Sequence, residues 1–463
     1  MDTHLIMNTQ LSHAESEAHS APRGSQVPPA PQRPAGRKAV IVLAICLALQ
    51  MTSFVMVQPL FARRFSQLGA GVEALGASAM AYALAATLTA PFMGALADRF
   101  GRRLIVLGSL GVYILAFSGY LFASTASMFI LFRGLAGAFT AGLMPAMIGI
   151  VADLAPGDRR AQWIGILTGG ASVGWIAGPI LGGALYDRWG YYLALAVSIL
   201  LASATFIAAV LAVPETKKPV RKSKEKAGQK TAGFSFKRVK SSPPGFRNSF
   251  PKPLSTFILL LWITFAVMFA WAFIEPRTQF YAYDELAWTS SKLGLVMSTY
   301  GISMTLGEFG LSQLSDRLGR KPVILLGLML FSVQFIGLAF FKNYLLIAAT
   351  FLVAGLGNAL FDPALSAAIL DIGSPEHRAR ILGIKSTAGS LGNILGPGLI
   401  VLFTSWLSAR GIFLIAAAVV LITILIMLTR KLIRQPSMNA PAADAIVIPA
   451  AELKQIDQGE VQP

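Results

Sequence analysis

The chain has 463 residues, 55% of them hydrophobic and only 13% charged, against about 25% charged in an average soluble domain. A soluble chain of this length divides into domains that each need a charged surface. The composition therefore excludes a soluble enzyme or a soluble nucleic-acid binder and points to an integral membrane protein. The formal charge is +17, and its placement decides what it means.

In chain order, residues 1–38 are polar and rich in Ala, Pro and Ser, the composition of a disordered tail. The first long apolar run starts near Ala39, too far in for a cleaved secretory signal. Crossing roughly 30 Å of hydrocarbon takes about 20 apolar residues. Twelve such runs follow, over 39–61, 75–97, 104–123, 126–152, 163–185 and 190–213, then 255–277, 293–315, 322–341, 344–370, 381–405 and 411–430. Residues 214–254 separate the two sets and hold twelve of the Lys and Arg, which suits a solvated linker beside anionic lipid better than a nucleic-acid site. Residues 431–463 read as a second flexible tail.

Twelve spans put both termini on one side. Of the 39 Lys and Arg, 30 lie on that side and seven on the other, with Arg133 and Lys385 inside spans. The positive-inside rule predicts cytoplasmic termini for a multi-pass cell-membrane protein. The single cysteine, Cys46, lies in an apolar run, and three of the four histidines fall in the first twenty residues. No disulfide framework and no metal site are expected.

An offset of 218 aligns the special residues of the two halves. Asp98, Arg99, Gly101 and Arg102 fall on Asp316, Arg317, Gly319 and Arg320; Gly137 falls on Gly355, Pro145 on Pro363, Asp153 on Asp371 and Arg160 on Arg378. Gly165 falls on Gly383, and Gly174, Gly178 and Pro179 fall on Gly392, Gly396 and Pro397. The expected fold is all-α: twelve transmembrane helices in two six-helix bundles, 39–213 and 255–430, related by an internal repeat. Two such bundles with a polar interface are the architecture of alternating-access carriers.

Two motifs follow from the repeat. Gly94-Ala-Leu-Ala-Asp98-Arg99-Phe-Gly101-Arg102-Arg103 forms the turn between the second and third spans, with a copy ending in Asp316, Arg317, Gly319, Arg320 and Lys321. Glycine permits the tight turn, and an Asp leaving the membrane there can favour the positive start of a neighbouring helix. A gating latch between the halves is expected, against the plainer reading of a topogenic charged turn. In the fifth span, Gly170, Gly174, Gly178 and Gly182 are spaced by four, with Pro179 and Gly183 beside them, a smooth stripe for close helix packing. The copy in the eleventh span keeps Gly392, Gly396 and Pro397 but has Ile400 at the next position.

The turn at Gly94 to Arg103 resembles the signature loop of the major facilitator superfamily. Gly174-x-x-x-Gly178-Pro179-x-x-Gly182-Gly183 is similar to the helix 5 antiporter motif of its drug/proton antiporters, and Arg133-x-x-x-Gly137 to the helix 4 arginine motif. The resemblance covers about residues 39–430. It implies two bundles rocking around a central cavity lined mainly by helices 1, 4, 7 and 10, with export coupled to proton entry. Many of those antiporters have an acid in helix 1; this chain has only Gln50 and Gln58 there.

Charge inside a span costs about 2.5 to 3.5 kcal/mol on insertion scales, so each instance is a functional candidate. Asp362 in the tenth span and Glu308 in the eighth approach the midplane and are the candidate proton carriers, each weighed against a structural, packed role. Arg133 is either a cavity cation or a lock to helix 1, with Gln50 as a hydrogen-bond partner. Glu275, before Pro276, reads as a boundary residue, and Lys385 as a side chain that snorkels. Met51, Phe54, Trp262, Phe265, Met268, Phe269 and Trp271 suit an adaptable apolar pocket, although packing explains each singly.

The expected function is secondary transport, with proton-coupled efflux of small, largely apolar compounds as the first reading. Import of a polar metabolite by symport or uniport is the alternative, and a non-transporting sensor on a carrier fold the second. No nucleophile with a base, phosphate loop or metal cluster points to an enzyme. No cofactor is expected beyond a proton gradient, and the partners are substrate, protons and lipid, with no nucleic acid and a monomeric state.

Overall fold

A computed structural model describes residues 34–216, 251, 253–311, 314–373 and 377–430. Most of the basic linker and nearly all of both expected tails lie outside the described residues. The first half comprises α1 (Pro34–Val57), a short α2 (Leu60–Gln67), α3 (Val72–Phe100), α4 (Arg102–Phe122), and α5 (Ala126–Thr140) followed by α6 (Leu143–Leu154). Arg160–Ala212 is continuous except at Gly190, where φ is 82°, and divides there into α7 (160–189) and α8 (191–212). The second half comprises α9 (Leu254–Phe280), α10 (Ser290–Leu311), a short α11 (Leu314–Leu318), α12 (Arg320–Phe340), α13 (Tyr344–Asp371), α14 (Arg378–Phe403) and α15 (Ala409–Thr429). There is no strand among the described residues.

Among the described residues, ten helical stretches are long and apolar enough to cross a membrane. One of them is the pair α7 and α8, and α10, made less apolar by Lys292 and Glu308, fills the eighth place. All twelve expected spans are therefore helices. They differ from expectation at the edges: α1 stops at Val57, so Gln58 falls in the turn before α2, and the fourth span is broken around Gly142. Large apolar side chains such as Leu131, Leu200, Leu211 and Leu345 point outward, as lipid-facing residues must.

The repeat holds at the level of single bonds. Gly101 and Gly319 both take positive φ, 100° and 87°, the left-handed turn that only glycine adopts without strain. Arg102 pairs with Asp153 at 2.5 Å, and Arg320 with Asp371 at 3.1 Å. Arg103 donates to the Val210 carbonyl and Lys321 to that of Leu428, positions again 218 apart, so each cation caps the last turn of the span that ends its half. Thr125 and Asn343 cap the starts of α5 and α13. Tyr82 hydrogen-bonds Thr140 at 2.9 Å, and its mate Tyr300 accepts from Asn358 at 2.5 Å.

Glycine sets the distances between helices, because lipid gives no hydrophobic drive for helix pairing and close backbone approach must supply the attraction. A Cβ on Gly170, Gly174 or Gly182 would overlap the α1 backbone at Ala44, Met51 and Met56. Gly392 and Gly396 lie in the same way against Phe265, Phe269 and Phe273 of α9. The two halves meet through Gly294, which abuts the Pro179 carbonyl, and Gly76, which lies 3.2 Å by its notional Cβ from that of Pro397. Both seams are near the face opposite the chain ends, here called the far face. At the terminal face the same helices part: Gly94, Gly165, Gly310 and Gly383 have open space where a Cβ would go. The molecule is closed at the far face and open at the terminal face.

Gly182→Val forces α7 off α1 and should cost about 1–3 kcal/mol, read as a fall of several degrees in the melting temperature of the purified protein. Gly165→Ala, in the same helix but facing open space, should leave it unchanged. Equal effects of the two would remove the packing role assigned to the stripe.

Candidate functional site

At the closed end of the opening lies a cavity of about 40 Å³, lined by Trp175 of α7, Trp271, Ile274, Glu275, Thr278 and Gln279 of α9, Leu293, Met297 and Tyr300 of α10, and Phe351 of α13. A space of that size admits a water-sized molecule rather than a drug-sized one. Its walls are aromatic, with Trp271 and Tyr300 rings 4.9 Å apart. Its only ionisable carboxylate is Glu275. That residue accepts a hydrogen bond from Gln279 Nε2 at 2.7 Å, one helical turn on, and its charge is coupled to that of Arg133 in the other half.

Arg133 is 5% exposed and makes no ion pair among the described residues; its Nε and Nη1 have no hydrogen-bond partner. Rings supply its surroundings instead. The guanidinium lies 4.8 Å from the centroids of Phe61 and Tyr82 and 5.9 Å from that of Phe54, an arrangement that attracts a cation through the ring quadrupoles. Gln50 in α1 is also buried, with its Oε1 unpartnered. The repeat mate of Arg133 is Phe351 and the mate of Glu275 is Val57. Each half thus contributes one charge for which the other has an apolar residue.

Two sequence readings are corrected here. Glu275 is not a boundary residue: Pro276 and the turn after it carry the helix on to Phe280, leaving Glu275 turned to the cavity. Lys385 does not snorkel to the edge. Its Nζ pairs with Asp362 Oδ1 at 2.8 Å and with Ser366 Oγ at 2.5 Å, joining α14 to α13. Asp362 is half exposed in the opening, and Glu308 is exposed, close enough for the two charges to be coupled. The structure thus separates the intramembrane charges into a deep pair, Arg133 and Glu275, and a shallower set, Asp362, Lys385 and Glu308.

The bonds described for Arg102, Asp316 and Arg320 of the expected gating turns lie within their own halves. Asp316 accepts from Arg320 Nη1 at 2.6 Å, Arg102 also bonds the Gly149 carbonyl, and Arg99 lies over Phe100. Arg317 is exposed. Among the described residues, the ion pair of Asp316 stays within its own half. Of the aromatic and methionine residues expected in a pocket, only Trp271 lines the cavity. Met51 packs on Gly174, Met268 and Phe269 on Gly392, and Trp262 donates to Thr423 of α15.

The signal for Glu275 was legible in part: an acid inside an apolar run, followed four residues later by Gln279 on the same helical face. The pairing of Lys385 with Asp362 was not, because spacing along the chain does not show which faces of α13 and α14 meet. Among the described residues no group of His, Cys, Asp and Glu could hold a metal.

The family profile described as Major Facilitator Superfamily matches residues 43–283 and 260–457. Among curated relatives, the chain is 27% identical to a multi-drug resistance efflux pump PmrA homolog of Lactococcus lactis, over 73% of this chain and 80% of that one. It is 25% identical to the quinolone resistance protein NorA of Staphylococcus aureus, over 78% and 88%. Among solved structures, a bacterial homolog of the lysosomal transporter Spinster, inward-facing and occupied, superposes with a TM-score of 0.67 at 16% identity, covering 86% of this chain and 97% of that one. The nucleoside transporter NupG superposes with a TM-score of 0.64 at 16% identity, over 86% and 100%. Two matching repeats, seams 218 residues apart and a cavity between the halves make the chain a secondary transporter of the membrane, and it belongs to the major facilitator superfamily.

Proposed function

We propose that the protein is a proton-coupled exporter of small, largely apolar aromatic compounds, working from a resting state open to the cytoplasm. The observation that carries this reading is Glu275: a carboxylate on the wall of an aromatic cavity at the closed end of the opening, in the field of a buried arginine from the other half. A lone carboxylate there can bind a proton or a positively charged substrate, and the two occupants compete for the same oxygens. That competition is the minimum needed for exchange, since substrate leaves when the proton arrives. Aromatic walls suit a flat apolar body. The chain therefore has a candidate for cation recognition in α9, which answers the missing acid of α1.

Orientation follows from the 30 Lys and Arg on the terminal side against seven on the other, which makes the terminal face cytoplasmic and the far face external. Asp362 is a second proton carrier in this reading. Placed nearer the cytoplasmic mouth and held by Lys385, which also bonds Ser366, it stands between the cavity and the water into which protons are released. Glu308 shares its field, and Gln50 and Arg133 line the path in the first half. The names of the relatives, multidrug efflux and quinolone resistance proteins, support export of drug-like molecules. The protein is proposed to act as a monomer.

In proteoliposomes loaded with a fluorescent aromatic cation, an acidic compartment facing the external side should drive movement of the dye into it through correctly oriented protein. Accumulation of dye in the alkaline compartment instead would identify a symporter. Glu275→Gln should lower gradient-driven transport of the cation at least about a hundredfold, as removal of an essential proton carrier does, with binding of a neutral aromatic probe retained. Cation transport at the wild-type rate in that variant would take Glu275 out of the site. Asp362→Asn should abolish the response to the gradient while dye binding and exchange persist; unchanged coupling would remove Asp362 from the proton path.

A further inference from the structure

The two seams that close the far face are repeat mates, Gly76 on Pro397 and Gly294 on Pro179, yet among the bonds described only at the second does a carboxylate reach across to the other half. Asp187, at the end of α7, accepts the N–H of Ser290 at 2.9 Å on one oxygen and that of Ser291 at 2.7 Å on the other. These are the first two amides of α10. They belong to the donors that a helix start leaves unpaired, and they lie at the positive end of the helix dipole, so both bonds are charge-assisted. The mate of this helix start is served differently: Glu73, one residue into α3, bonds the Gly71 amide of its own half at 3.1 Å.

Further bonds tie the same segment to the first half. Arg63 of α2 donates to the Trp288 carbonyl at 3.0 Å and lies 4.1 Å from the centroid of the Tyr283 ring. The Tyr283 hydroxyl donates to the Pro59 carbonyl at 2.6 Å. The segment held in this way is not relaxed. Tyr281–Glu285 is a single π-helical turn, and Ala287 has φ 53°, a left-handed conformation that is costly for a residue with a Cβ.

We infer that Asp187 and the first amides of α10 form a latch that holds the far face shut against strain stored in the 281–289 connection. Opening that face breaks two charge-assisted bonds and lets Ala287 return to an ordinary conformation, so the strain lowers what the latch would otherwise cost to release. The charged and titratable groups near Asp187 are Tyr186 and Arg188 beside it in the chain, Lys292 in the first turn of α10, and Tyr283, with Arg63 and Arg64 of α2 facing the same tyrosines. Burial on its own would raise the Asp187 carboxyl, but the hydrogen bonds from Ser291 and Ser290 outweigh it and hold the group below the usual carboxylate range. An acid depressed in the closed state favours that state at every pH above its ordinary value, and the advantage is lost only as pH falls through the depressed value. The latch therefore stays charged from about pH 5 to pH 8 and is not a proton sensor.

The test uses the full chain in lipid nanodiscs, with spin labels at the exposed positions Ser66 and Asp284 and the distance between them measured by pulsed electron resonance. Asp187→Asn should raise the far-face-open population roughly tenfold, the order expected for a lost charge-assisted pair. Adding Ala287→Asn, which tolerates left-handed backbone and leaves closed geometry unstrained, should reclose part of it. Should Asp187→Asn not fold, Ser290→Pro removes one of the two amides at a first helical position that accommodates proline and should open the face in the same direction. Distances in the latch variants identical to wild type would overturn the inference, as would an Asp187→Asn/Ala287→Asn double variant no more closed than the single one. The readout is a distance, so it stands whether or not the protein exports or carries protons.

Discussion

The structure depends on backbone meeting backbone without side chains between. Within the bilayer the helices gain nothing from excluding water from one another, and what holds them is contact over short distances. The glycines of α7 and α14 bring α1 and α9 to within a carbonyl's reach, and those of α3 and α10 do the same for the opposite half at Pro397 and Pro179. The first kind of contact lies inside a half and has no reason to break. The second lies between halves, on one face only, and its smooth surfaces can part without unthreading side chains.

Charge is then placed where these contacts leave room. Arg102, Arg103, Arg320 and Lys321 act inside their own halves, tying the turns to the ends of α6 and α13 and capping α8 and α15. None of the ion pairs described at that face crosses between halves, which fits a face that stands open. The deep charges are fewer and differently supported: Arg133 by rings, Glu275 by an amide one turn along its helix. A guanidinium without a carboxylate partner and a carboxylate without a cation in contact are both costly in this environment. In the proposed mechanism, their coupling across the interface relates the position of the halves to the protonation of Glu275.

Much of this was legible in the sequence, for identifiable reasons. Span count follows from apolar run length, and the offset of 218 exposed the repeat because glycine, proline and charged turn residues tolerate little substitution at close contacts. The glycine stripe of the fifth span gave the tight packing correctly; the partner, α1, is a fact of three-dimensional arrangement. Asp362 and Arg133 stood out as charges in apolar runs. Glu275 was misjudged because a following proline looks like a helix end, whereas in α9 the helix continues past it for another turn. Lys385 was misjudged because depth along a helix does not give its facing, and Asp187, beyond the end of its span, carries no sequence signal apart from its charge.

The repeat mates of the deep charges, Phe351 for Arg133 and Val57 for Glu275, carry a consequence for how such a machine is divided. The hinges, caps and sliding surfaces are written twice, so either half alone specifies the mechanics. In the proposed mechanism the deep charges that drive it are written once, split between the halves, with the cation in one and the acid in the other. Two copies of the first half joined together would make a body that still swings but has nothing to drive it, and two copies of the second would face acid with acid. In that reading it is the difference between the two units, rather than their likeness, that gives a symmetric pivot its direction.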